Sequence, residues 1–241
     1  MMKTIDICIS PELLHLYNLE DKIVVVVDIF RATTSMVTAM AYGVESIIPV
    51  AEIEDCQALG KQGYLTAAER GGEQVRGFDF GNSPYSFRSD KLRGQKLAMT
   101  TTNGTQAIDR SKSAKKLIVG SFLNLTSVTR YLRLENENIL VVCAGWKGKF
   151  SLEDTLFAGA LAFKLQTSFT FLTDTVLAAL ILYQTAGEDL LDFLKKSAHY
   201  QRLIKISQDI HKDLAFCLEV DKYTVIPILD KKAGALKSFE P

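Results

Sequence analysis

Five consecutive β-branched apolar residues, Ile23 to Val27, constrain the fold of this chain more than any other feature. Such a run is typical of a strand that is buried on both faces, as in a parallel sheet covered by helices. Polar residues follow at once, and apolar residues then return at helical spacing from Thr34 until Gly43. The segment therefore predicts a central strand, a polar loop and a helix.

Two ionisable residues, Asp28 and Arg31, lie in the loop between this strand and this helix. Open α/β sheets bind their ligands at the carboxyl ends of the strands, which is where this loop would lie. A carboxylate and a guanidinium together suit a ligand that is phosphorylated or bound to a metal ion. Alternatively, Asp28 and the threonines after it only cap the helix. The segment alone leaves both interpretations open.

Strands and helices alternate through most of the chain, which predicts an α/β fold of layered α/β/α type with a largely parallel or mixed central sheet. We expect one domain over residues 1–241. Polar loops follow buried strands at Val27, Met99 and Cys143. Because parallel strands end at the same edge of a sheet, these three loops are expected to converge on one site.

The late apolar run from Tyr223 to Leu229 predicts one more strand, and Pro227 lies inside it. Proline has no N–H group to donate to a neighbouring strand, and it is therefore found mainly on edge strands. The prediction for this segment is an edge strand.

The second of the three loops has the sequence TTTNGT and leads into a helix. Hydroxyls, an amide, a glycine and free backbone N–H groups at a helix start make a neutral cradle for an oxyanion. The alternative is an ordinary N-cap with an Asn-Gly turn. We favour anion binding because four threonines exceed what one cap needs. The candidate residues are Thr101, Thr102, Asn103, Gly104 and Thr105.

In the third loop, Ser151 begins a helix that is predicted to extend to about Leu165. Asp154 shares the apolar stripe of this helix and is expected to point across the strand ends. Glu153 falls on the same helix face as Lys164 and is predicted to face solvent.

A glycine-rich segment supplies further candidates, although an ordinary surface loop could also hold them. They are Glu69, Arg70, Asn82 and Ser83. The three histidines share no ligand spacing, so a histidine metal centre is not expected. The remaining metal ligands are carboxylate oxygens, which suit Mg²⁺.

Composition argues against several other classes of function. Lys plus Arg equals Asp plus Glu, 28 each, so electrostatic capture of nucleic acid or an anionic membrane is not expected. The longest apolar run, Val176 to Tyr183, is too short to span a bilayer, and the amino terminus lacks a signal-peptide pattern. Four scattered cysteines suggest buried free thiols. We therefore expect a cytoplasmic protein, and the sequence leaves open whether copies of it form a homo-oligomer.

Four segments in order resemble the 2-phosphosulfolactate phosphatase family over nearly the full chain. They are VVVVDIFRATTS, AERGG followed by GFDFGNSP, TTTNGT, and CAGWKGKFSLEDTLFAG. The resemblance implies an Mg²⁺-dependent phosphatase that converts 2-phospho-3-sulfolactate to 3-sulfolactate and phosphate. In methanogens this step belongs to coenzyme M biosynthesis. The implied ligand is a small phosphorylated, sulfonated carboxylate.

The loops and the resemblance together assign roles to the candidate residues. We expect catalytic roles for Asp28, Arg31, Asn103 and Asp154. Substrate contacts are expected from Arg70, Asn82, Ser83, Thr101, Thr102, Gly104 and Thr105. Carboxylates for Mg²⁺ are expected from Asp28, Glu69 and Asp154.

Three alternatives to this function remain. The chain could act on another small phosphorylated acid, or it could be a sensor that binds such a metabolite without catalysis. It could also be a haloacid-dehalogenase-like phosphatase with Asp28 as the nucleophile. That pattern expects a second Asp two residues later, where this chain has Phe30.

Overall fold

The computed structural model describes residues 3–207 and 209–240. In chain order the strands are Thr4–Cys8 (β1), Lys22–Val27 (β2), Ser46–Pro49 (β3), Leu65–Arg70 (β4), Glu73–Gln74 (β5), Lys96–Thr100 (β6), Lys116–Gly120 (β7), Asn138–Cys143 (β8), Thr170–Phe171 (β9), Ile226–Asp230 (β10) and Ala235–Phe239 (β11). They form one sheet in the order β5-β4-β6-β3-β11-β10-β7-β2-β8-β1-β9.

The α-helices are Ala32–Ala41 (α1), Ile53–Gly60 (α2), Gly104–Arg110 (α3), Leu125–Leu134 (α4), Leu152–Leu165 (α5), Asp174–Ala186 (α6), Leu190–Leu194 (α7), Ala198–Leu203 (α8) and Ile210–Cys217 (α9). Short 3₁₀ helices cover Pro11–Leu16, Pro84–Phe87, Asp90–Leu92 and Phe122–Asn124. None of the helices in this part of the chain is long and apolar enough to cross a bilayer.

The β-branched run is the central strand β2, as predicted. It pairs in parallel with β7 on one side and with β8 on the other. Its side chains alternate between two cores: Val24 and Val26 pack with α1, whereas Val25 and Val27 pack with α5 residues such as Phe157. Helices thus cover both faces of a mainly parallel sheet, and the predicted α/β fold class is confirmed.

The prediction of a carboxyl-terminal edge strand was wrong. Strand β10 lies inside the sheet, because β11, which the sequence did not reveal, pairs with it as a hairpin inserted between β3 and β7. Pro227 is tolerated there because β10 pairs with β7 only at Ile228, opposite Ile118, one residue beyond the proline. The missing N–H therefore interrupts no extended ladder on the β7 side of β10.

The sheet curls around helix α1, whose residues from Ala32 to Met40 are all buried. Strands β2 and β6 are five positions apart in the sheet order, which in a flat sheet would be roughly 24 Å. A Cβ atom built on Gly104, the first residue of α3 after β6, would nevertheless lie 2.8 Å from Asp28 Oδ2. Only curling of the sheet can bring the ends of these two strands into contact.

All four cysteines are free and buried, as predicted. They lie on strands β1 and β8 and on helices α2 and α9, where burial raises the pKa of each thiol. They behave as small apolar core residues.

Candidate active site

A cavity lies where β2, β4, β6 and β8 end, and the loops after β2, β6 and β8 all contribute to it. The predicted site residues that line it are Asp28, Arg31, Glu69, Asn82, Thr102 and Asn103. Lining residues that the sequence did not single out include Phe30, Trp146, Lys147, His199 and Arg202. The expected convergence of the three loops is therefore seen, and the curled sheet produces it.

Asp28, the first residue after β2, is a carboxylate buried at the floor of this cavity. Its backbone N–H donates to Thr33 Oγ1 at 3.0 Å, and the Thr33 hydroxyl donates back to the Asp28 carbonyl at the same distance. These two bonds tie the start of α1 to the end of β2. Burial raises the pKa of the Asp28 carboxyl to about 7, helped by Glu69 and Glu153 and opposed by His199. Desolvation of the charged carboxylate is therefore the dominant influence on this group.

Gly104 is required by the close approach of α3 to this floor. A Cβ atom at this position would lie 2.6 Å from Ala32 Cβ and 2.8 Å from Asp28 Oδ2. Any larger residue would push α3 away from α1. Gly104 thus sets the distance between the TTTNGT loop and Asp28.

The Thr102 end of the TTTNGT loop presents its donors to a carboxylate. The Thr102 N–H and hydroxyl both donate to Glu69 at 3.3 Å, and the Gly72 N–H donates to Glu69 Oε1 at 2.5 Å. These groups already hold oxygen atoms that carry negative charge. Both donors of Thr102 are therefore engaged by Glu69, and they hold this carboxylate at the cavity.

Thr101 and Thr105, by contrast, form the cap that was the alternative interpretation. The Thr105 N–H donates to Thr101 Oγ1 at 3.2 Å, and the Thr101 N–H donates to Thr105 Oγ1 at 3.1 Å. The Thr105 hydroxyl also donates to the Thr101 carbonyl at 3.0 Å. Neither residue lines the cavity. Their hydroxyls are thus engaged within the loop.

Arg31 lines the cavity but already has partners. Its Nη1 donates to Asp213 Oδ2 at 2.6 Å, and its Nη2 donates to the Gly72 carbonyl at 2.6 Å. Ser83 lies outside the cavity lining and donates to Asp213 Oδ1 at 2.7 Å. Ser83 and Asp213 therefore fix the guanidinium of Arg31, and its positive charge is balanced by Asp213.

Arg70 does not line the cavity. Its Nη2 donates to the Ala51 carbonyl at 3.0 Å and to Thr100 Oγ1 at 2.9 Å, and its Nη1 donates to the Glu69 carbonyl at 2.8 Å. These bonds tie the end of β4 to the end of β6. The structure thus gives Arg70 a position that holds Glu69 in place.

Asp154 does not join Asp28 and Glu69 in one group of metal ligands. Within residues 3–207 and 209–240, no three or more His, Cys, Asp or Glu side chains are grouped so that they could hold a metal ion. Asp154 Oδ1 accepts the Ile29 N–H at 2.8 Å, and Oδ2 accepts the Gly145 N–H at 3.0 Å. Asp154 therefore clamps the loop after β2 to the loop after β8.

We expect Asp154→Ala to destabilise the fold strongly. The variant would leave two buried N–H donors without acceptors, and each such donor lowers the free energy of unfolding by about 1 to 3 kcal/mol. The combined loss corresponds to a fall in melting temperature of roughly 5 to 20 °C. Thermal unfolding followed by circular dichroism measures this. Asp109→Ala removes a half-exposed carboxylate as a matched control and should shift the melting temperature little. Equal shifts in both variants would contradict the clamp.

The prediction that Glu153 faces solvent was wrong. This side chain is 1 % exposed, and its Oε1 lies 2.5 Å from His199 Nδ1. Burial would raise the pKa of Glu153, but the hydrogen bond and charge of His199 outweigh it and lower the pKa. His199 lines the cavity beside Asp28. The prediction relied on the helix face that Glu153 shares with Lys164. It failed because His199 of helix α8 covers Glu153 on α5.

Three oxygen donors in the cavity form a set that fits Mg²⁺. Asp28 and Glu69 supply carboxylates, and the Asn82 side chain is buried with an Oδ1 atom that has no hydrogen-bond partner among the described residues. Buried polar oxygens are rarely left unpaired, so Asn82 Oδ1 needs a partner that the polypeptide does not supply. Mg²⁺ prefers such hard oxygens and usually keeps several waters besides one or two carboxylates.

Comparison with known proteins agrees with the motifs. The family model of 2-phosphosulpholactate phosphatase matches residues 8–232. A relative in Thermotoga petrophila is 40% identical, with 91% of this chain and 94% of the relative aligned. Another, in Caldanaerobacter subterraneus, is 38% identical over 92% of this chain and 93% of its own length. Both are named probable 2-phosphosulfolactate phosphatase. This chain therefore belongs to the 2-phosphosulfolactate phosphatase family.

Proposed function

We propose that this protein hydrolyses 2-phospho-3-sulfolactate to 3-sulfolactate and inorganic phosphate with the help of Mg²⁺. The names of its relatives support this substrate. The observation that carries it is the cavity itself, where the buried Asp28, Glu69 and the unpaired Asn82 oxygen lie beside the polar loop that leads into α3. A phosphoryl group needs both a cation and neutral donors around its oxygens.

Asp28, Glu69 and Asn82 would hold the metal ion, which would polarise a phosphoryl oxygen. Thr102 donates to Glu69 through its N–H and its hydroxyl, and it would hold this carboxylate in position for the ion. Arg31 is fixed at the cavity wall by Asp213 and by the Gly72 carbonyl, and Asp213 balances its charge.

His199 is placed to act as the general acid. Its Nδ1 is held by Glu153, and its Nε2 has no hydrogen-bond partner among the described residues. As the P–O ester bond breaks, Nε2 would give a proton to the leaving alkoxide oxygen, while the oxygen of water forms the new bond to phosphorus. One water proton stays on the phosphate product, and the other is released and replaces the proton that Nε2 gave up. Histidine exchanges protons near neutral pH, and protonating a leaving group typically contributes 10²- to 10⁴-fold.

The proposal is tested by measuring phosphate release from 2-phospho-3-sulfolactate with saturating Mg²⁺. We expect turnover that is lost with a chelator and restored by added Mg²⁺. Faster release of phosphate from another phosphorylated acid, such as 2-phospholactate, would identify that acid as the preferred substrate. Binding of the substrate without any release of phosphate would show a sensor.

We expect Asn82→Ala to raise the Mg²⁺ concentration needed for half-maximal activity by roughly 10- to 100-fold, since it removes an oxygen near the ion. The titration of activity against Mg²⁺ measures this directly. Asn136→Ala, which alters an exposed asparagine, serves as the matched control and should leave the titration unchanged. An unaltered Mg²⁺ dependence in Asn82→Ala would remove Asn82 from the metal site.

A further inference from the structure

Two cations in the cavity have no acidic partner among the described residues. They are Lys147, which follows β8, and Arg202 on α8, whereas the third, Arg31, is paired with Asp213. The Nε atom of Arg202 is buried and has no hydrogen-bond partner within the described part of the chain. A buried guanidinium N–H without a partner can be satisfied by an anion that enters the cavity.

Both unpaired cations lie against the ring of Trp146. The Arg202 guanidinium carbon is 3.8 Å from the ring centroid, and Lys147 Nζ is 5.0 Å from it. An aromatic face stabilises a cation and fixes the plane of a guanidinium without neutralising its charge. Trp146, Lys147 and Arg202 thus form a preorganised positive cluster, which we name the tryptophan-cation cluster.

The backbone holds Lys147 in this cluster at a conformational cost. Trp146 and Lys149 exchange two backbone hydrogen bonds, of 2.9 and 3.0 Å, around a tight turn. Both central residues of the turn have positive φ, +49° at Lys147 and +75° at Gly148. Asn or Gly is preferred at the first of these positions, and lysine is disfavoured there. The Lys147 N–H is held by Asn103 Oδ1 at 3.0 Å, which couples the cluster to the phosphate side of the cavity.

We propose that the tryptophan-cation cluster binds a second acidic group of the substrate, the sulfonate, and thereby sets specificity for phosphoesters that carry a strong acid besides the phosphate. This inference rests on the proposed function. The proposed metal ligands serve the phosphoryl group, so the remaining negative charge of a sulfonated ester needs cations elsewhere. A guanidinium is weakly hydrated and offers parallel donors, which match sulfonate oxygens.

The test compares three substrates in wild type and in Arg202→Gln. They are 2-phospho-3-sulfolactate, 2-phospholactate without the sulfonate, and the phosphate ester of isethionate, which has the sulfonate but no carboxylate. We expect kcat/KM to fall about 10- to 100-fold for the two sulfonated esters, mainly through KM, and less than about threefold for 2-phospholactate. Lys147→Gln should show the same pattern more weakly.

Matched controls are Lys149→Gln in the same turn and Lys205→Gln, an exposed lysine just after α8; neither residue lines the cavity. Both variants should behave as wild type. An equal loss on all three substrates in Arg202→Gln would overturn the proposal, as would a loss confined to the carboxylate-bearing esters.

A binding measurement separates this inference from the proposed function. Calorimetric titration with 3-sulfolactate and with lactate needs no turnover, and we expect Arg202→Gln to weaken binding of the first only. If wild type releases no phosphate from 2-phospho-3-sulfolactate, the proposed function fails, yet selective binding of 3-sulfolactate still supports the cluster. Equal binding of both acids by the wild-type protein would overturn the proposed role of the tryptophan-cation cluster.

Discussion

Asp28→Asn is expected to lower kcat by about 1000-fold or more while the protein remains folded. The change keeps the shape of the side chain but removes the charge that would face the metal ion and the phosphoryl group. Loss of an electrostatic contribution of about 4 kcal/mol corresponds to roughly three powers of ten in rate. Steady-state phosphate release at saturating Mg²⁺ measures it. If the variant kept a tenth of the wild-type kcat, Asp28 would have no direct role in the reaction.

The same variant should be more stable than wild type in the absence of metal at pH 8. The folded protein raises the pKa of Asp28 to about 7 from an ordinary value of 3.8, because burial disfavours the charged form. The protonated Asp28 carboxyl therefore makes its full contribution to the free energy of unfolding below about pH 4, and this contribution is lost as the pH rises to about 7. Three pKa units correspond to roughly 4 kcal/mol.

Melting curves with a chelator at pH 5 and pH 8 check the sign of this effect. The advantage of Asp28→Asn over wild type should be larger at pH 8. A variant that melts lower than wild type at both pH values would show that the carboxylate stabilises the fold, and the loss of activity could then no longer be assigned to chemistry.

His199→Gln is expected to lower kcat for 2-phospho-3-sulfolactate by roughly 10²- to 10⁴-fold, because the alkoxide would leave without a proton. The loss should be below about tenfold for p-nitrophenyl phosphate, whose leaving group needs no proton. This dependence on the leaving group identifies a general acid. His211→Gln is the matched control, since His211 lies outside the cavity lining and is bonded to the Tyr200 hydroxyl at 2.7 Å.

Glu153→Gln tests whether the buried carboxylate positions His199. We expect a smaller fall in kcat, about 10- to 100-fold, together with a displaced pH profile, because the charge beside Nδ1 is lost while the hydrogen bond can persist. Glu153→Asp should recover part of the activity. A variant with a lower melting temperature but an unchanged pH profile would make the contact purely structural.

Local patterns in the sequence were enough for the main elements of the fold. The run Ile23 to Val27 is the central strand, and α5 begins immediately after the cap at Ser151, as predicted. Strand β11 was missed because its pattern, Ala235 to Phe239, is short and includes an exposed lysine and an exposed serine. The insertion of the β10–β11 hairpin between β3 and β7 depends on contacts far apart in sequence, which no local signal specifies.

The sequence also identified which loops meet, but not which side chains remain free for a ligand. Asp28, Glu69, Asn82, Thr102 and Asn103 were named in advance and line the cavity. Their polar character and their place after strands were sufficient signals. Signals for the cationic side were weaker. The AGWKGK loop and the HYQRL segment hold Trp146, Lys147, His199 and Arg202, yet helix α8 reaches the site only through tertiary packing.

The sequence by itself determined the alternation of strands and helices, the strand ends that carry polar loops, and the family. These properties depend on residue spacing along the chain, which is local. Only the tertiary structure decided that Arg31 is neutralised by Asp213, that Asp154 clamps two loops, and that Glu153 is buried under α8. Each of these depends on a partner far away in sequence, and it was the curl of the sheet around α1 that brought the cavity walls together.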